Sequence, residues 1–398
     1  MAGLLLVFFS LTLDSVPSAS AGEQQPEVLT IGYLELEKDV RYAASRAYAR
    51  IALETRARPF PGAELGVADA AMVASAVDTT LALEHITGAT PDELVAGIKR
   101  LRAEKQSHFF LVDLPEPAAL EVAKASQKLD VLLFNISADG NRLRAQDCTA
   151  NLVHVYPSLR MQTDALSQYL RAKDWGKVWL LVGAREDDLA FATSFRASAK
   201  RYGLRTVGER PFELSNDPRE RTRNNVALLT ASTRDYDVVI LADRQGEFGR
   251  YVPFATSRAR PVMGSAGLVA ATWHWAFERF GAPQLNGRFV RATDGRHMSG
   301  ADWAAWVAVK VIVQARVRAD GSDFDTLSKF LKGSKIRIDG FKGVALSFRP
   351  WNNQLRQPLL LAARDAVIAT APVEGFLHQT NDLDTLGVDK KENTCRFE

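Results

Sequence analysis

"TPDELVAGIKRLRAEKQSHFFLVDLPEPAALEVAKASQKLDVLLFNIS", residues 90–137, sets helix patterns and apolar runs in alternation. Thr90 stands where an N-cap belongs, Pro91 fills the first turn, and Glu93 follows three residues past the cap. "HFFLVDL" (108–114) and "DVLLFNIS" (130–137) read as strands, each preceded by a helix. This alternation is the mark of βαβ units and a mostly parallel sheet. Working outward, residues 28–33 read as a first strand and 39–54 as a first helix. Pro157 breaks the run "NLVHVYPSLR", a helix continues to Lys173, and "KVWLLVGA", "LRTVGERPF", "YDVVILAD" and "RPVMGSAG" supply strands of a second sheet. Two successive strand sets predict two α/β lobes with a boundary near 157. Beyond them the alternation lapses: residues 299–319 form one long helix, "FDTLSKFLKG" a second, and residues 341–372 β-structure with a hairpin at Arg364-Asp365.

The chain has 398 residues, enough for two lobes of ordinary size. Residues 3–13 are apolar and lead into "SVPSASAG", so residues 1–21 are expected to be a secretory signal peptide. No later run approaches the length of a membrane-crossing helix, and a soluble mature protein is expected. Removal of residues 1–21 takes away Asp14 alone among the charged side chains and moves the net charge from +3 to +4. With acids and bases interspersed, that balance argues against nucleic acid and permits an anionic small ligand. Two cysteines in an oxidising compartment allow one pairing, and a Cys148–Cys395 disulfide is expected to tie down the C-terminal tail.

Catalytic patterns are missing from the sequence. No nucleophile elbow, dinucleotide or phosphate-loop glycine pattern, Cys-x-x-Cys pair or paired-histidine zinc motif occurs, so the chain reads as a binder rather than an enzyme, with no metal. In open α/β sheets ligands sit beyond the carboxyl ends of strands. The loops so selected run from Tyr33 to Glu37 with Arg41 beyond, Asn135 to Asp139 with Ser137, Ala184 to Asp188 with Arg185, Asp243 to Glu247 with Arg244, and Gly264 to Leu268 with Ser265. Trp273 follows the last of these and could stack on a flat ligand. Trp351, between Arg349 and Arg356, is either a second platform or a structural stack of guanidinium on indole. Trp303 and Trp306, on an Ala/Val-rich helix, read as core.

"LLFN" (132–135), Cys148 with "NLVHVYPS", "GSAGLV" with Trp273, "FKG" (341–343), "FRPWNNQLRQP" (348–358), "EGFLHQ", "LDTLG" and Cys395 occur in this order. In these the chain resembles a type 1 periplasmic binding protein, and within that fold the branch associated with alcohol oxidation dependent on pyrroloquinoline quinone (PQQ). The resemblance implies two Rossmann-like lobes joined by a hinge of three crossings: residues 28–157 with 292–345, and 158–291 with 346–370, followed by a tail over 371–398. It implies periplasmic capture of PQQ, as ligand rather than catalytic cofactor, and its transfer to ABC-transporter membrane subunits or a quinoprotein dehydrogenase. The ligand set expected is Tyr33, Arg41, Ser137, Arg185, Arg244, Ser265, Trp273, Arg349 and Trp351, with arginines pairing carboxylates and an indole beneath the ring. Two further readings stand beside it: a solute-binding protein for an amino-acid-like or alcohol-derived solute, and an enzyme or sensor domain reusing the fold. The loop "NISADG" lacks the Ser/Thr richness of amino-acid-binding relatives and weighs against an amino acid.

Overall fold

The computed structural model describes residues 27–43, 56–213 and 224–397. The leader expected over 1–21 lies outside them, as does most of the helix expected over 39–54, of which residues 40–42 form a short 3-10 turn.

The first lobe opens with β1 (Glu27–Leu36), α1 (Phe60–Ser75), β2 (Thr79–Gly88), α2 (Pro91–Lys105), β3 (Phe109–Asp113), α3 (Glu116–Ala125), β4 (Leu132–Asn135) and β5 (Leu152–His154). Its strands form a parallel sheet in the order β2-β1-β3-β4-β5. The capping box expected on α2 is present: Thr90 Oγ1 accepts from the Glu93 amide at 3.3 Å, and Glu93 Oε2 accepts from the Ala89 amide at 2.9 Å. The second lobe holds α4 (Leu159–Ala172), β6 (Lys177–Gly183), α5 (Glu186–Arg201), β7 (Arg205–Phe212), α6 (Val226–Thr230), β8 (Val238–Ala242), α7 (Val252–Ala255) and β9 (Val262–Gly264), with a parallel sheet ordered β7-β6-β8-β9. Then follow β10 (Val269–Ala271), α8 (Ala282–Ala292), α9 (Gly300–Arg318), α10 (Phe324–Lys332), β11 (Ile338–Asp339), β12 (Ala345–Phe348), β13 (Leu355–Arg356), β14 (Leu359–Ala363) and β15 (Ala366–Ala371).

Helix α1 and strand β2 fall in a span that sequence patterning left unassigned. The buried face of α1 is made of Gly62, Ala63, Leu65, Gly66, Ala70 and Ala74, which give little hydrophobic periodicity. Their use is close approach: a Cβ at Gly62 would strike the backbone of Asp302 on α9.

The lobe boundaries depart from those expected. Trp273, Phe277 and the α8 residues Leu285 and Phe289 join the core of the first lobe, as do Leu346, Phe348 and Leu355. The chain therefore returns to the first lobe near 272 rather than 292, and leaves it near 357 rather than 345. Strand patterning hides both points because β10 and β14 pair with each other, together with β15, across the junction. Leu359 and Leu361 of β14 enter the second core and Leu360 the first, as alternate faces of a strand should.

The segment "WNNQLRQP" lies at these crossings, with Asn352, Asn353, Gln354 and Gln357 all buried. The amides of the last three pair with backbone beside the first crossing: Asn353 Nδ2 donates to Leu152 O at 3.2 Å, Gln354 Nε2 to His154 O and Tyr156 O at 3.1 Å each, and Gln357 Nε2 to Val155 O at 2.6 Å. Lys342, buried, donates to Gln357 Oε1 at 2.7 Å and Pro358 O at 3.1 Å, with its ammonium 3.6 Å from the centre of the Trp303 ring. The Cys148–Cys395 disulfide is formed and closes the tail onto the first lobe.

Candidate functional site

Strand ends of both lobes face one cavity of about 920 Å³, lined among others by Arg41, Glu116, Asp139, Arg185, Asp187 and Arg244. The loop after β1 brings Arg41 to the cavity by way of Asp39. Arg41 Nη2 meets Asp39 Oδ2 at 2.6 Å and Asp113 Oδ1 at 3.1 Å, while Nη1 donates to Ser137 Oγ at 2.9 Å. Asp113, at the end of β3 and fully buried, also accepts from Tyr42 at 2.7 Å and from Tyr33 at 3.4 Å. Burial opposes the Arg41 charge, but the bonds to Asp39 and the field of Asp113 outweigh it and push the guanidinium pKa up. Burial, and then Asp113, push the Tyr33 phenol well up. Tyr33, Arg41 and Ser137 are thus brought together in a network whose cation is already matched by two carboxylates.

The second lobe contributes Arg185 and Arg244. Arg185 is the N-cap residue of α5, its side chain 59% exposed and 3.9 Å from Asp187. Arg244, just past β8, reaches across the gap to Asp139 Oδ2 at 2.6 Å. Its amide donates to Asp188 Oδ1 at 2.6 Å, and its carbonyl accepts from Arg56 Nη2 at 3.2 Å. The field of Asp139 pushes the Arg244 pKa up, whereas burial pushes the Asp188 carboxyl up to about 6.

Ser265 does not line the cavity. Its hydroxyl donates to Leu241 O at 3.1 Å and accepts from the Asp243 amide at 2.8 Å, fastening β9 to β8. The preceding Gly264 has φ +118°, and a Cβ there would strike the Leu241 carbonyl.

Trp273, Arg349 and Trp351, expected to face the ligand, are turned elsewhere. Trp273 is 3% exposed, stacked on Trp303 with ring centres 6.1 Å apart and bonded through Nε1 to Asn286 Oδ1 at 2.9 Å. Arg349 is 1% exposed; Nε donates to Asp384 Oδ1 at 2.8 Å, and Nη2 to Leu383 O at 2.8 Å and Leu386 O at 2.6 Å. Trp351 donates to Val388 O at 3.2 Å and lies beneath both Arg349 and Arg356. These three side chains hold core and tail together, the structural alternative left open for the Arg–Trp stack.

Sequence reasoning passed over Glu116, at the first turn of α3 after β3. Its carboxylate rests against Gly140, where a Cβ would collide with it, and its Oε1 is covered without a hydrogen-bond partner. Burial raises its pKa. The strand-end rule applied to β3 would have found it. Arg142 and Asp147, paired at 2.7 Å on the same wall, carried no such signal. Among the described lining residues five arginines face five carboxylates and no aromatic ring is present. Such a surface can bind a small solute of mixed charge through groups from both lobes. Among the described residues no cluster of His, Cys, Asp and Glu could hold a metal ion, and no helix is long and apolar enough to cross a membrane.

No protein-family model and no curated protein sequence matches the chain. Solved structures do. A leucine-, isoleucine-, valine-, threonine- and alanine-binding protein from Brucella ovis, in a closed conformation, superposes with TM-score 0.69 at 14% identity, over 94% of this chain and 99% of that one. A branched-chain amino acid ABC-transporter periplasmic ligand-binding protein from Burkholderia xenovorans gives TM-score 0.68 at 12% identity, over 86% and 95%. A periplasmic binding protein from Burkholderia mallei gives 0.66 at 15%, over 93% and 98%. The chain has the type 1 periplasmic binding protein fold.

Proposed function

With that fold as the premise, we propose that the chain is the periplasmic solute-binding component of an ABC transporter and closes its two lobes on a small, amino-acid-like solute carrying both charges. The observation that carries this reading is the balance of the cleft: Arg185 and Arg56 stand ready for a carboxylate, and Glu116 and Asp187 for an ammonium. Charge-assisted hydrogen bonds of this kind, at about 1.5–3 kcal/mol each, can offset the cost of association. The neighbours from Brucella ovis and Burkholderia xenovorans, described as binding branched-chain and related amino acids, support the same class. PQQ is served less well. Its three carboxylates would meet as many acids as arginines, and the indoles meant to carry its ring are packed in the core and against the tail. Delivery of PQQ to a quinoprotein dehydrogenase loses its support with them.

The test is calorimetric titration of the mature protein with the common α-amino acids and, separately, with PQQ. One-to-one micromolar binding of at least one amino acid, weakened by Arg185→Ala and by Glu116→Gln, is expected. Saturable binding of PQQ with no heat from any amino acid would overturn the proposal.

A further inference from the structure

Arg144 belongs to no ion pair described above, yet its guanidinium makes four hydrogen bonds. It is 2% exposed. Nη1 donates to Gly140 O at 2.8 Å, Nη2 to Ala138 O at 2.9 Å and Tyr156 O at 2.8 Å, and Nε to Gln354 Oε1 at 2.9 Å. Ala138 and Gly140 flank Asp139, the residue that meets Arg244 across the cleft. Tyr156 belongs to the first crossing, and Gln354 to the turn that leads into the third, where its own amide returns to His154 O and Tyr156 O. One planar fork thus joins the cleft wall to two crossings, a geometry a lysine ammonium cannot reproduce.

We propose that Arg144 is a positioning residue that couples the hinge to the cleft wall, so that a rotation of the crossings carries Asp139 toward or away from Arg244. Hinge closure is a change of backbone torsions confined to a few residues, and rigid connections transmit it. The peptide units on either side of Asp139 are pinned to the crossings, so its carboxylate follows them. Burial pulls the Arg144 pKa down to about 10, which leaves it charged at neutral pH.

This inference rests on the reading of the chain as a hinge-closing binding protein, but its test needs no solute. Met72→Cys in the first lobe and Leu228→Cys in the second, both at exposed positions, take a pair of fluorescent labels while the disulfide stays closed. Energy transfer then reports the interlobe distance well below the unfolding transition. Arg144→Lys is expected to broaden the distribution toward longer distances, as Asp139→Asn does, and the double variant to go no further than either alone. A wild-type distribution in Arg144→Lys, or additive shifts in the double variant, would overturn the coupling; a purely structural role predicts additivity. Should Arg144→Lys fail to fold, Gln354→Met removes the acceptor of Arg144 Nε together with the amide's own bonds to His154 O and Tyr156 O and should shift the distribution in the same direction, an unchanged distribution again overturning the idea. If no solute is ever found for the cleft, the distance result still stands or falls by itself.

Discussion

In the cleft, Arg185 and Arg244 keep 59% and 24% of their side chains exposed and meet carboxylates. At the hinge, Arg144, Lys342 and Arg349 are sealed and bond mainly to carbonyl and amide oxygens. The same residue types serve opposite ends. A guanidinium that faces solvent can trade its carboxylate partner for that of a solute at small cost, because both states are hydrated. A buried cation leaves its acceptors unpaired when removed, so its value lies in fixing the path of the chain. Cleft substitutions should therefore change binding, and hinge substitutions stability.

The largest test is Arg349→Ala. It strips Leu386 O of its donor, leaves Leu383 O with only the 3.4 Å bond from the Leu386 amide, and leaves the buried Asp384 with Arg356 alone. A loss of about 4 kcal/mol in urea unfolding is expected; a loss near zero would erase the distinction between hinge and cleft. Next comes the double change Cys148→Ser with Cys395→Ser, which opens a link between residues 247 apart and should cost about 3 kcal/mol in the same assay.

Lys342→Met sharpens the comparison through pH. Burial pushes the Lys342 pKa well down in the folded state. Between that value and the ordinary lysine value the unfolded chain binds the extra proton, so the wild-type protein gains stability as pH rises through the window and loses it as pH falls. The variant should lack this slope, and at neutral pH should lose about 1–2 kcal/mol from the unpaired Gln357 and Pro358 oxygens. Parallel stability curves for the two proteins from pH 7 to 10 would show that the ammonium is not sealed.

The smallest effect on stability belongs to Arg185→Ala, expected within about 0.5 kcal/mol of wild type by thermal unfolding. If the proposed function holds, its binding of an amino acid that titrates with the wild type should fall about tenfold, or about 1.4 kcal/mol. A large stability loss with unchanged binding would move Arg185 from the cleft class to the hinge class.

Much of this was legible in the chain. Thr90, Pro91 and Glu93 announced α2, and the apolar runs of β3, β4, β6 and β8 announced parallel strands, because caps and covered strands are written in local residue types. The strand-end rule reached Arg41, Arg185 and Arg244, since topology alone decides which loops share a face. It could not tell that Arg41 arrives already bound to Asp39 and Asp113, partners 2 and 72 residues away. Trp273 and Trp351 misled for a related reason: an indole beside a predicted cleft loop looks the same whether its ring meets a ligand or Trp303. Helix α1 escaped notice because its buried face is glycine and alanine, whose contribution is proximity to α9 rather than periodicity.

By itself, then, the chain determined the two α/β lobes, the pairing of its only cysteines and the loops that can meet in a cleft, all of which follow from local patterning, counting and the direction of strands. Only the tertiary structure decided where the lobes exchange chain, which arginines stay open to solvent, and that "WNNQLRQP" lies at the crossings between lobes. Those outcomes depend on partners tens to hundreds of residues distant, and burial, which converts a charge from a binding group into a bolt, is a property of the packed molecule alone.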